Sequence, residues 1–158
     1  MGKNLSWHET AEIYRKAELY EMAIACYDHA IDLNPIDDVA WFSKGYIFFL
    51  LDKNDDELKC YNKALEINPR NIDALENMGA YLLRMGKDRE AMDCFDKVLT
   101  ITERKVCSLF NKGMLLKKQG RYWDALLVFD KGLLHCPGDE DALRCVSEIV
   151  ERLTEMRD

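Results

Sequence analysis

Hydrophobic and small positions recur along this chain with a period of 34 residues. Trp7, Trp41, Leu75 and Leu109 stand at that spacing, and Ala11, Gly45, Gly79 and Gly113 follow each of them four places later. Aromatic rings recur at Tyr27, Tyr61, Phe95 and Phe129, and prolines at Pro35, Pro69 and Pro137. A register held through four copies identifies an array of repeats rather than a single globular core, and predicts a solenoid in which each unit contacts its neighbours. The copies run 4–37, 38–71, 72–105 and 106–139, and 140–158 is a fifth, partial one, so 1–158 is expected to form one array.

Each copy holds two stripes of helical spacing separated by a short polar turn, over 4–17 and 20–33 in the first. Four such pairs and a last helix make about nine helices. Proline lacks an amide proton and clashes with the preceding turn, so it is expected to stop the second helix of its copy. The short connections force antiparallel neighbours. Ala11, Gly45, Gly79 and Gly113 let the second helix lie against the first, and Ala23, Ala91 and Ala125 answer from the other side. Ala30, Ala64 and Gly132 are expected to admit the next unit, with the recurring aromatic filling the gap between units.

The pattern Trp41, Lys44-Gly45, Phe48, Tyr61, Ala64 and Pro69, repeated end to end over 4–139, resembles the tetratricopeptide repeat. The resemblance implies an all-α fold, a right-handed superhelix of antiparallel helix pairs. In it first helices line a concave groove and second helices form the convex back. Three positions depart from the pattern. Glu57 stands where a small residue belongs, with Asn54 placed to cap that helix in a capping-box-like arrangement that lifts the carboxylate out of the interface. Glu103 replaces the terminating proline, so the helix over 88–101 is expected to run on or end raggedly, and Val98 replaces the usual alanine. In the last segment Leu143, Val146 and Val150 share one face and charged residues the other, as a solvating cap helix requires.

Composition narrows the function. A hydrophobic content of 48% is that of a folded protein. A net charge of −7 and a pI near 5.0 work against binding DNA, RNA or anionic membrane surfaces. No apolar run approaches the ~20 residues that span a bilayer, and the N-terminus lacks the apolar core of a signal peptide, so a cytoplasmic protein is expected. Gly2 and Ser6 satisfy the minimal myristoylation pattern, although a start codon followed by a small residue is the plainer reading. Of the six cysteines, Cys26, Cys60 and Cys94 are equivalent positions in successive copies, ~8–10 Å apart if carried on packed helices, too far for disulfides. They read as reduced thiols at a recurring packing position.

No combination of residues assembles an active site, a cofactor site or a metal site. His8, His29 and His135 have no partner at ligand spacing, and the glycines occupy packing and turn positions rather than a phosphate loop. Adjacent His135 and Cys136 point in different directions on a helix. The acidic run 52–57 lacks the spacing of a calcium loop. A non-catalytic protein is expected.

In the resembled fold, positions 2, 5, 6, 9, 12 and 13 of each copy face the concavity. The first copy presents a mostly charged set there, Leu5, His8, Glu9, Glu12, Arg15 and Lys16. The second presents Val39, Phe42, Ser43, Tyr46, Phe49 and Leu50, an apolar surface with no core assigned to it. Burying one large apolar side chain is worth about 1.5–3 kcal/mol, so leaving these wet is costly. They form either a hydrophobic pocket or a packing surface between neighbouring first helices. The expected peptide site is Phe42, Ser43, Tyr46, Phe49, Phe110 and Met114 for apolar contact, Asn77 and Asn111 for backbone, and Arg84, Lys117 and Lys118 for an acidic flank.

Asn77 and Asn111 share position 6 and resemble two rungs of the asparagine ladder in O-linked N-acetylglucosamine transferases, although bonding between helices by the same amides suits them as well. The carboxylate clamp of chaperone co-factors is expected to be absent. Its places hold His8, Glu12, Ser43, Asp73 and Asn77, and two carboxylates there repel an acidic C-terminus. The expected partner is therefore a protein or peptide captured in the groove, and the alternative is a homo-oligomer assembled through that groove and the cap helix.

Overall fold

The structure is a computed structural model that describes residues 5–156. The myristoylation pattern at Gly2 and the first residue of the first copy lie outside the described residues. Among those residues there are nine helices and no strand. They are α1 (Trp7–Lys16), α2 (Tyr20–Leu33), α3 (Asp38–Leu50), α4 (Asn54–Ile67), α5 (Ile72–Arg84), α6 (Asp88–Ile101), α7 (Val106–Lys118), α8 (Tyr122–Leu133) and α9 (Glu140–Glu155). No helix among the described residues is long and apolar enough to cross a membrane. The chain divides into two compact units, Met1–Met78 and Gly79–Asp158.

Helix starts are set by side chains that accept from otherwise unpaired amides of the first turn. Ser6 Oγ accepts from Glu9 N at 3.2 Å while Glu9 Oε2 accepts from Ser6 N at 2.8 Å, so α1 starts at Trp7 rather than at 4. Asp37, Asn71 and Asp139 play the same part for α3, α5 and α9, accepting from Ala40, Ala74 and Ala142.

The turn inside each complete copy has one geometry. Its residue 15 is left-handed each time, with φ of 59° at Glu18, 56° at Asp52, 71° at Gly86 and 74° at Gly120. The next amide reaches back to close the first helix, from Leu19 to Tyr14 O, Lys53 to Phe48 O, Lys87 to Leu82 O and Arg121 to Leu116 O. Only two of the four residues are glycine, so Glu18 and Asp52 hold a conformation that side chains disfavour.

Packing starts from a ring laid on a missing side chain. A Cβ built on Gly45 would lie 2.8 Å from the Tyr61 ring, and one on Gly79 or Gly113 would lie 2.7 Å from Phe95 or 2.9 Å from Phe129. The ring therefore seats on the first helix of its own copy, closer in than the gap between units that the sequence suggested. Gly132 likewise makes room for Phe110 of the same copy rather than for the next unit. Copy-to-copy contact uses positions 3 and 10, which the sequence pattern did not single out. Ala40 and Ile47 are buried with Ala23, Cys26, Tyr27 and Ala30, and Ala142 and Ile149 with Ala125 and Phe129. In the first copy the same positions are Ser6 and Ile13, and Ile13 is 53% exposed, with no helix packed on that face among the described residues. Ion pairs repeat with the copies too, Lys44 with Asp28 and Lys112 with Asp96.

Cys26, Cys60 and Cys94 are buried free thiols at one packing position, as expected, and burial pushes Cys60 up to about 11. Four expectations need correction. Asn54 is the first residue of α4 rather than its cap, and Glu57 stays in the interface, only 1% exposed. α6 ends cleanly at Ile101 without a proline, because Thr102 turns extended, as Asn68 does after α4. α8, which has Pro137, stops earlier, at Leu133. Finally, α9 buries Ala142 and Ile149, while Leu143 and Val150 of the expected apolar face are 45% and 47% exposed. In complete copies those two positions lie toward the second helix of the same copy, and α9 is followed by no further helix among the described residues.

Two measurements check this packing. Gly45→Ala gains about 1 kcal/mol of helix propensity but overpacks the Tyr61 seat at a cost of about 1–3 kcal/mol. A lower urea midpoint is expected, whereas Glu18→Gly should raise it by relieving the turn; an unchanged or higher midpoint for Gly45→Ala contradicts the seat. Burial also pushes the Tyr27 hydroxyl up to about 12, with the Glu12 carboxylate adding to the effect and the Ser43 hydroxyl opposing it. The folded chain favours the neutral phenol, a stabilisation complete below the ordinary value of 10.0 and lost as pH rises through about 12. A 295 nm titration should show late tyrosine ionisation, with one late-titrating group fewer in Tyr27→Phe.

Candidate functional site

In the Met1–Met78 unit, Phe42, Ser43, Tyr46 and Asn77 line one cleft of about 210 Å³ together with Glu12 and Arg15. Each arrives there for a local reason. Gly45 and Ile47 are buried on the packed side of α3, so residues 42, 43 and 46 turn the other way along a helix of 3.6 residues per turn. Phe42 is half-buried, its ring 6.0 Å from Tyr61, and Tyr46 is half-buried with Phe49 at 5.9 Å. Phe49 is exposed and does not line the cleft. The apolar surface of the second copy is thus neither sealed nor wholly open.

Glu12 and Arg15 supply the charge. Arg15 donates from Nε at 3.0 Å and from one terminal nitrogen at 2.8 Å to the two Glu12 oxygens, and Tyr27 donates to Glu12 Oε1 at 3.0 Å. The Arg15 guanidinium holds the Glu12 carboxyl below its usual range, and Glu12 in turn raises Arg15. Arg15 also lies over the Tyr46 ring at 5.9 Å. Asn77 already donates one amide hydrogen to Asp73 O at 2.8 Å, which leaves its carbonyl and one N–H for other partners. His8 meets Asp37 Oδ2 at 2.8 Å, outside the cleft lining.

In the Gly79–Asp158 unit, Met114, Lys117 and Lys118 line a second cleft with Tyr122, Cys145, Glu148 and Arg152. Met114 is exposed, but both lysines are engaged, Lys117 with Glu148 and Lys118 with Asp88. Phe110 and Asn111 stand outside that lining, Phe110 with its ring 6.2 Å from Phe129. Arg84 lies over Tyr81 at 5.5 Å. Seven of the expected site residues therefore gather in two places, one in each unit, whereas Phe49, Arg84, Phe110 and Asn111 line neither cleft. Sequence reasoning did not include Glu12 and Arg15 in the site, although they occupy groove positions of the first copy. It also passed over Cys145, Glu148 and Arg152 by treating the fifth copy as a cap. Among the described residues no cluster of three or more His, Cys, Asp or Glu could hold a metal ion.

Three family models match the sequence, one described as a TPR repeat over 45–86 and two as tetratricopeptide repeats over 72–106 and 6–37. No curated protein matches the chain in sequence. Among solved structures, the chain is similar to MamA, with 14% identity over 92% of this chain and 79% of that one and a TM-score of 0.80. It is also similar to YrrB, described as a TPR protein with an unusual peptide-binding site, with 21% identity over 94% and 76% and a TM-score of 0.79. For PilW, a type IV pilus biogenesis factor, identity is 26% over 90% of this chain and 66% of that one, with a TM-score of 0.79. These neighbours share an all-α solenoid fold. Proteins of this kind are typically interaction modules that bind protein or peptide partners. With tandem matches covering more than half of its length, helix pairs in the same register and solved relatives of the same fold, the chain belongs to the tetratricopeptide repeat family.

Proposed function

We propose that this protein is a non-catalytic binding module that captures a peptide or partner helix on the concave side of its first helices, chiefly on the second copy. The observation that carries the proposal is the cleft in which Phe42 and Tyr46 stand beside the Glu12–Arg15 pair. An apolar side chain of the ligand would lie on the two rings. Ser43 and Asn77 would bond its backbone, and Phe49 would extend the contact. The peptide-binding site named for YrrB supports a peptide ligand by analogy of fold. In the second unit Met114 would add apolar contact and Arg84 would face an acidic flank. Lys117 and Lys118 would contribute only by leaving Glu148 and Asp88.

Chaperone C-termini are not the proposed ligand. Glu12 is an ionised carboxylate in the cleft lining, and it would repel a terminal carboxylate. A net charge of −7 likewise argues against nucleic acid or an anionic membrane as partner. The proposed compartment is the cytoplasm, where unpaired cysteines stay reduced.

A second reading, self-association, is favoured by one observation. Trp123, Leu127, Val150 and Met156 are exposed around α8 and α9, and Trp123 is 74% exposed. Its route would be the groove of one copy receiving the α9 edge of another.

Phe42→Ala with Tyr46→Ala should reduce recovery of partners from native lysate to background while the circular dichroism spectrum and cooperative melting persist; undiminished recovery rejects the assignment. Sedimentation velocity over a wide concentration range should show a monomer. A concentration-dependent dimer that Trp123→Ala abolishes would favour self-association instead.

A further inference from the structure

A further cleft in the Gly79–Asp158 unit belongs to neither of the sites above. It has a volume of about 640 Å³ and opens between the end of α6, the start of α7 and the end of α8. Its floor is apolar, from Leu99, Leu109 and Val128, and its rim carries exposed Leu134 with Arg104, Lys112, Lys131 and His135 against a single carboxylate, Glu103. In a chain of net charge −7 this is a local reversal of sign. Lys112 is engaged by Asp96, whereas Arg104 and Lys131 are exposed and make no ion pair among the described residues.

The repeat explains why the cleft is there. Leu109 is the 34-residue equivalent of Trp41 two copies on, and Glu103 that of Pro35. In the Met1–Met78 unit the Trp41 indole fills the corresponding place, its N–H donating to Pro35 O at 3.3 Å and its face 5.8 Å from Lys44 Nζ. At Leu109 the side chain is a ring system shorter, and the same place stands open.

From this geometry we infer that the cleft is a second recognition site, one that takes a peptide segment in which acidic residues flank a large apolar side chain. The apolar side chain enters over Leu109 where the indole sits in the earlier copy, and the carboxylates meet Arg104 and Lys131. A small inorganic anion would leave the floor wet, and a purely apolar segment would leave the cations unmatched. The site shares no lining residue with either cleft that carries candidate groove residues, so it stands or falls independently of the groove.

The test is selection of phage-displayed random dodecapeptides on the intact protein, followed by anisotropy measurements with the recovered sequences as labelled synthetic peptides. Leu109→Trp fills the cleft with the side chain the equivalent position already carries, and R104E with K131E reverses the rim without touching the floor. One class of recovered peptides should combine acidic residues with one or two large apolar ones. Its affinity should fall at least about tenfold in both variants and be unchanged in the Phe42→Ala, Tyr46→Ala protein. If Leu109→Trp fails to fold, by circular dichroism, the rim variant decides alone. The inference is overturned if no such class is recovered, or if its affinity is unaltered by the rim reversal. It is also overturned if dodecanoate displaces the peptides stoichiometrically, which would make the site one for a lipid.

Discussion

In three of the four complete copies an aromatic ring of the second helix rests where the first helix has no side chain, and the arrangement of both units follows from that contact. Tyr61 over Gly45, Phe95 over Gly79 and Phe129 over Gly113 bring paired helices within a ring's thickness of each other. In the first copy, where Ala11 stands in the glycine's place, Tyr27 is buried in the same cluster and its hydroxyl donates to Glu12. Once the ring fixes how a first helix is rotated, positions 3 and 10 face the preceding copy, and positions 5, 6 and 9 are left on the remaining side. The candidate site is thus what remains of a first helix after both of its packing obligations are met.

Much of the fold was legible because a fixed period multiplies weak signals. One small residue four places after a tryptophan means little, but four such pairs in register set the helix starts at Asp38, Ile72, Val106 and Glu140. What was not legible lay in single positions with no repeat to support them. Glu57 could be imagined outside the interface because a capping residue stood near it, yet Lys53 took the cap position and the carboxylate stayed inside. Thr102 ended α6 without proline because the stop depends on an extended residue after the last turn. The rotation of α9 was misjudged because its two apolar stripes are nearly equal in the sequence, and only contact with α8 chooses between them.

The site was legible in part, for a related reason. Helical periodicity assigns Phe42, Ser43, Tyr46 and Asn77 to a shared surface, and the structure brings those four together. Periodicity says nothing of how a flexible charged side chain is engaged. Lys117 meets a residue 31 positions away, and Lys118 one in the preceding copy. Neither pairing has a local signature. The Glu12–Arg15 pair does have one, an i,i+3 spacing on α1, and it marks the first copy as the polar wall beside an apolar floor. A wall of paired charge beside half-buried rings favours ligands with an apolar anchor over ligands that bring charge alone.

The most direct test of the central claim, that the second copy's first helix is the recognition surface, is site-specific photo-cross-linking of a partner recovered with the intact protein. A benzophenone side chain replaces Phe49 on α3 in one variant and Met22, exposed on α2, in another. The account predicts a cross-linked species from position 49 and none from position 22. Cross-linking from position 22 alone would place recognition on the second helices and contradict it.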